Sequence, residues 1–97
     1  MGVYVLLSNL TDEGARTLSE KPDRIKEVNR EVEELGAKVL AQYALLGRYD
    51  FLNIVEAADD ETIARLSIAL ASRGTLRIET LTAIPIDRLA KRLGARA

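Results

Sequence analysis

AKVLAQYALLGRYDFLNIVEA, residues 37–57, holds two runs rich in Val, Leu, Ile, Tyr and Phe that meet at Gly47-Arg48. Runs of this length and composition suit strands. A Gly between them supplies a tight connection, so 37–46 and 49–57 are predicted to pair as a hairpin. Working back from Ala37, Gly36 stands where a helix wants a left-handed residue at its end. Before it, Ile25, Val28, Val32 and Leu35 recur at spacings of three, four and three, one face of an amphipathic helix. Pro22 interrupts that helix, because proline donates no N–H and pushes Lys21 out of the helical region. A shorter helix therefore precedes it, opened by Thr11 as N-cap with Asp12 and Glu13 in its first turn. Gly14 weakens that turn. Val3 to Asn9 reads as the first strand. Working forward from Ala57, Asp59, Asp60 and Glu61 open a helix that runs to Arg73 with Ile63, Leu66 and Leu70 as its stripe. Gly74 closes it. Thr75 to Ile84 is a fourth strand rich in β-branched residues, and Pro85 ends it. Ile86 to Leu93 makes a short last helix with Ile86, Leu89 and Leu93 on one side.

The order is β-α-β-β-α-β with a terminal helix. Two β-α-β units around a hairpin make the ferredoxin-like plait, an α+β fold with a four-stranded antiparallel sheet. Ninety-seven residues suit one core, so a single domain spanning 1–97 is expected. The 30% of charged residues, and the lack of any apolar run near the roughly 18–20 residues of a spanning helix, argue against a membrane protein. The apolar segment 3–7 lacks a basic flank and a small-residue cleavage site, so it reads as a strand and the expected location is cytoplasmic. With no Cys, disulfides and thiolate metal sites are excluded; with no His, the usual general base and commonest metal ligand are missing. No metal, no cofactor and no catalytic residue is assigned. Fourteen basic against fifteen acidic residues give a net charge of −1, which offers no overall attraction to nucleic acid or anionic lipid.

The strands carry apolar residues on both faces. Val3, Val5 and Leu7 oppose Tyr4 and Leu6; Val39, Ala41, Tyr43 and Leu45 oppose Leu40, Ala44 and Leu46; Phe51 and Val55 oppose Leu52 and Ile54. Helices in this fold cover one face. A bare second face would exceed the roughly 300–600 Å² of a monomer's largest apolar patch. Covering several hundred Å² per partner is worth on the order of 10 kcal/mol gross. The open face is therefore expected to pack on a second subunit, a homodimer or larger homo-oligomer, unless the C-terminal helix folds back over it.

At the hairpin, Leu46-Gly47-Arg48-Tyr49-Asp50, then Ile54-Val55-Glu56-Ala57 and Asp59-Asp60-Glu61, resembles the GYD domain family, whose Gly-x-Tyr-Asp signature Gly47, Tyr49 and Asp50 fill. The fourth strand, Leu76-Arg77-Ile78-Glu79-Thr80-Leu81, is similar to that family's Arg-Thr-Glu-Thr-Leu pattern, with Ile78 in place of Thr. Tyr4-Val5-Leu6-Leu7 and Thr11-Asp12-Glu13-Gly14 fit as well. The resemblance covers essentially the whole chain and implies the dimeric α/β-barrel type of the plait. It implies no reaction.

Candidate ligand-contacting residues are Tyr43, Arg48, Tyr49, Asp50, Asn53, Arg77 and Glu79. Tyr49 and Asp50, with Arg48 beside them, can edge a pocket; equally, Asp50 can accept backbone N–H bonds in a turn. Arg77 and Glu79 lie two apart on a strand and share a face, for a polar ligand or for an ion pair. Asn53 is a lone polar residue in an apolar strand, with Gln42 as its counterpart, and a buried amide needs partners. Tyr43 can line a pocket or pack. Asp59-Asp60-Glu61 lacks the spacing of a calcium loop and reads as helix capping. Arg88, Lys91, Arg92 and Arg96 read as a solvated basic helix face.

Two functions fit these residues. One is a small oligomeric domain that holds a small ligand or a protein partner, through a sheet–helix pocket or the sheet interface. The other, suggested by the dimeric-barrel resemblance, is a cofactor-independent oxygenase- or isomerase-like enzyme. Without His or Cys, an Asp or Tyr would need a strongly shifted pKa to act near neutrality. RNA binding, which shares this topology, wants stacked aromatics in a basic surround, and those are missing here.

Overall fold

The computed structural model describes residues 1–94. Its elements are β1 (Gly2–Leu10), α1 (Asp12–Glu20), α2 (Arg24–Glu34), β2 (Ala37–Ala44), β3 (Phe51–Ala57), α3 (Asp60–Ala71), β4 (Leu76–Ala83) and α4 (Ile86–Arg92). The four strands form one antiparallel sheet in the order β2-β3-β1-β4, the ferredoxin-like arrangement. No helix among the described residues is long and apolar enough to cross a membrane.

The helix starts follow their caps. The Thr11 hydroxyl accepts from the Gly14 N–H at 3.1 Å, and Asp59 accepts from the Thr62 N–H at 2.8 Å. The break at Pro22 separates α1 from α2. The stripes pack as their spacing implies: Val32, Ile63, Leu66 and Leu70 join Tyr4, Leu6, Ala37, Val55 and Ala57 in the buried core, with Val28, Leu35, Val39 and Ile78 at its edge.

Two details depart from the sequence reading. The hairpin strands are shorter than predicted: β2 stops at Ala44 and β3 starts at Phe51. Residues 45–50 form a loop instead of a two-residue turn. The Leu45 N–H donates to the Asp50 carbonyl at 2.8 Å, and the Asp50 N–H donates to the Ser8 carbonyl at 2.9 Å. These bonds turn the loop back onto β1, and Gly47 takes a φ of 135° that suits only glycine. Second, β2 does not alternate strictly. Val39 pairs with Val55 but Ala41 pairs with Ile54, so Leu40 is an extra residue, a β-bulge. Val39 therefore faces the helices while Ala41 and Tyr43 face away, and the set predicted to share one face is split.

Register then assigns every strand residue to a side. Tyr4, Leu6, Ser8, Asn53, Val55 and Ile78 face the helices; Val5, Leu7, Leu52, Ile54, Arg77, Glu79 and Leu81 face away. No helix among the described residues covers the second face. α4 does not fold back over it: Ile86 and Leu93 are 74% and 78% exposed, and α4 has no extensive packing against another element. The chain is elongated as a result, with a Cα radius of gyration of 14.9 Å against about 12.5 Å for a compact chain of this length.

Candidate functional site

The predicted site residues separate onto two faces of the sheet. On the open face, the Tyr49 hydroxyl donates to Glu79 Oε2. That bond pushes the Tyr49 pKa up, since ionising the phenol beside a carboxylate is unfavourable. The Arg48 guanidinium lies 5.6 Å from the centre of the Tyr49 ring, within cation–π range. Arg77 faces the same way as Glu79 but makes no ion pair among the described residues. Residues two apart on a strand are about 6.6 Å apart, and Glu79 is already engaged by Tyr49. Tyr43 is 58% exposed on this side. The open face thus has an apolar centre of Val5, Leu7, Leu52, Ile54 and Leu81 with a polar, aromatic margin.

Asp50 acts between the faces. Its carboxylate accepts the Leu10 N–H at 2.8 Å, and its own N–H also reaches Asn9 Oδ1 at 3.1 Å. It ties the loop to the end of β1 through a backbone N–H 40 residues away in the chain, not through one within the turn.

On the helix side, a cavity of about 190 Å³ lies between α1, α2 and the sheet. Its apolar walls are Leu10, Leu18, Ile25, Val28, Phe51 and Leu76. Of the predicted residues Asn53 faces it, and Tyr43 touches its rim although its register turns it to the open face; Arg48, Tyr49, Asp50, Arg77 and Glu79 do not line it. A smaller void of about 40 Å³ adjoins it, and Asn53 lines both. Asn53 Oδ1 is buried without a hydrogen-bond partner. Gln42, its cross-strand neighbour, is satisfied: its amide pairs with that of Asn29 through bonds of 3.0 and 3.1 Å. The cavity lining includes no carboxylate, and its charged residue is Arg24. Arg24 is held by Glu27 at 2.8 Å and Glu31 at 3.3 Å, which keeps the Glu27 carboxyl below its usual range. Such a lining can enclose a small molecule but offers no acid–base pair.

Sequence reasoning missed Ser8, Leu18 and Arg24 as lining. Ser8 carried a signal, being the polar member of the Tyr4, Leu6, Ser8 face, but only the register sets it diagonally from Asn53. It also missed the Tyr4 hydroxyl, which donates to Asp60 Oδ1 at 2.6 Å and joins β1 to the first turn of α3.

The model of the GYD domain matches residues 4–93. This chain belongs to the GYD domain family. The GYD signature residues are thus a loop clasp and a sheet-edge contact, Gly47 turning the backbone, Asp50 binding β1 and Tyr49 reaching Glu79. This GYD domain is 54% identical, over 94 residues, to a Thermus thermophilus protein named "Glutamine synthetase and cystathionine beta-lyase binding protein". The match spans 96% of this chain and 99% of that one. Among solved structures it is similar in fold to TTHA0845, also from Thermus thermophilus, with a TM-score of 0.58 and 22% identity over 88% of this chain and 95% of the other.

Proposed function

We propose that this GYD domain is a non-enzymatic protein-binding module of the cytoplasm, a single folding unit that forms a homodimer through its open sheet face and docks on metabolic enzymes. The observation that carries the reading is the apolar sheet face that none of the described helices covers, with Leu81 43% and Tyr43 58% exposed. Apolar patches of this kind mark association surfaces. The partner class comes from the Thermus thermophilus relative, named for binding glutamine synthetase and cystathionine β-lyase and alike over nearly its whole length. The apolar stripe of α4 follows directly on β4 in the chain and supports the dimer, because Ile86 and Leu93 stay 74% and 78% exposed and Leu89 42% within their own subunit. Each α4 then lies against the other copy. A cavity lining without a carboxylate or histidine favours binding over proton-transfer chemistry.

Two measurements test this reading. Light scattering after size exclusion is expected to give a dimer for the wild type and a monomer or insoluble protein for Val5→Lys or Leu81→Lys. An unchanged dimer in both variants overturns the interface. Calorimetric titration with purified glutamine synthetase and cystathionine β-lyase from the same organism is expected to give saturable binding to at least one. Binding to neither overturns the partner class.

A further inference from the structure

The two crossovers of the plait back the sheet unequally. α3 buries Ile63, Leu66 and Leu70 in the core against it. On the other crossover, α1 buries only Gly14 and α2 only Val32. A helix that covers a sheet brings a stripe of apolar side chains. α1 brings one large one, Leu18, and that side chain lines the helix–sheet cavity. The α2 stripe is interrupted at the same place. Val32 is 4% exposed, whereas Ile25, which begins the stripe and also lines the cavity, is 37% exposed. Core-type side chains therefore surround a half-open space of about 190 Å³ that no described residue fills. The polar groups around it are uncharged or already paired. Gln42 is bonded to Asn29, and Arg24 to Glu27 and Glu31. Asn53 Oδ1 is sealed below the cavity surface, and Ser8, Thr17 and Thr75 carry only hydroxyls.

We infer that this cavity binds a small uncharged molecule with an apolar body, about one substituted aromatic ring in size, which takes the place of the core side chains that α1 lacks. The driving force is the apolar surface withdrawn from water, on the ligand and on Leu10, Leu18, Ile25, Val28, Phe51 and Leu76. Size sets the class. An apolar cavity of roughly 150 Å³ lined by Leu, Ile and Phe takes up benzene, so about 190 Å³ holds a ring with a small substituent and is too little for a nucleotide. Charge sets it further. Burying an unpaired charge is costly. The lining has no carboxylate to hold a cation, and its guanidinium is already paired with two glutamates, so neither sign is favoured.

The test compares toluene with benzoate and benzylammonium, which share its ring but carry a charge, on the full chain. Toluene is expected to raise the melting temperature as its concentration rises, and to shift the amide resonances of Gly14, Leu18, Val28 and Phe51. Both charged analogues are expected to bind at least about tenfold more weakly, because the cavity offers neither of them a free counter-charge. Val28→Phe, which puts a ring of the chain's own into the space, is expected to weaken toluene binding at least about tenfold. A wild type that toluene neither stabilises nor shifts, up to its limit of solubility, overturns the inference. So does a charged analogue that binds as tightly as toluene; neither comparison requires a variant to fold. Resonance shifts confined to the open face overturn it too, as does a folded Val28→Phe protein that binds toluene like the wild type. None of these outcomes bears on dimerisation or enzyme docking.

Discussion

Gly14 is where one added methyl group has least room. A Cβ there would lie 2.0 Å from the Thr75 carbonyl oxygen, so α1 approaches the segment before β4 as closely as backbones allow. The sequence marks Gly14 only as a weak helix former; its packing role depends on two segments some sixty residues apart in the chain. Gly14→Ala is expected to destabilise the fold by about 2–3 kcal/mol, since the clash is with backbone and cannot relax by a rotamer change; urea denaturation measures it. Tyr4 makes a second prediction at this scale. Its bond to Asp60 pushes its pKa from 10.0 up to about 12. The unfolded phenol ionises first, so the native state binds more protons in that window, and stability is full below pH 10 and falls as pH rises toward 12. Tyr4→Phe is expected to lose that alkaline dependence, as read by denaturation at stepped pH. Asn53 could be picked out from the sequence as an odd polar residue. That its Oδ1 ends buried without a partner could not, because Gln42, predicted as its counterpart, turns instead to Asn29.

Elements obeyed local chemistry where that chemistry was self-contained. The α1–α2 break at Pro22, the caps at Thr11 and Asp59, and the stripes of α2 and α3 depend on residues within a few positions of one another, so periodicity and capping rules found them. Thr11 also donates its hydroxyl to the Gly74 carbonyl at 2.7 Å, which ties the start of α1 to the turn that ends α3. Thr11→Ala is expected to cost about 1–2 kcal/mol, at the upper end for an N-cap because both bonds go at once. Comparing Thr11→Ala with Thr11→Ser by thermal unfolding separates the hydroxyl from the methyl group. The β2 bulge and the 45–50 loop escaped the sequence reading for the opposite reason. Both are set by pairing: the bulge by the register of β2 on β3, and the loop by the grip of Asp50 on Ser8 and Leu10 of β1. A strand's alternation, read alone, assumes that nothing interrupts it.

The molecule as a whole has one packed side and one open side, joined to a helix that buries none of its residues. Ending the chain after Pro85 is expected to leave the sheet and the three remaining helices intact by circular dichroism, because α4 contributes no buried residue. The same truncation is expected to lower the mass seen by light scattering, since the proposed partner loses the stripe of Ile86, Leu89 and Leu93. A truncated chain that stays dimeric would remove α4 from the interface. Of the basic residues on that segment, Arg88, Lys91 and Arg92 lie within α4, and Arg96 falls outside the described residues. Element order, the plait, family membership and the surplus of apolar residues on the strands were all present in the linear chain, because each follows from neighbours at short spacing or from the order of segments. Which residues share a face across strands, which amide is left unpaired, and where a cavity remains between helices and sheet are properties of register and packing. They arise only when segments far apart in the chain come together, and no local pattern encodes them.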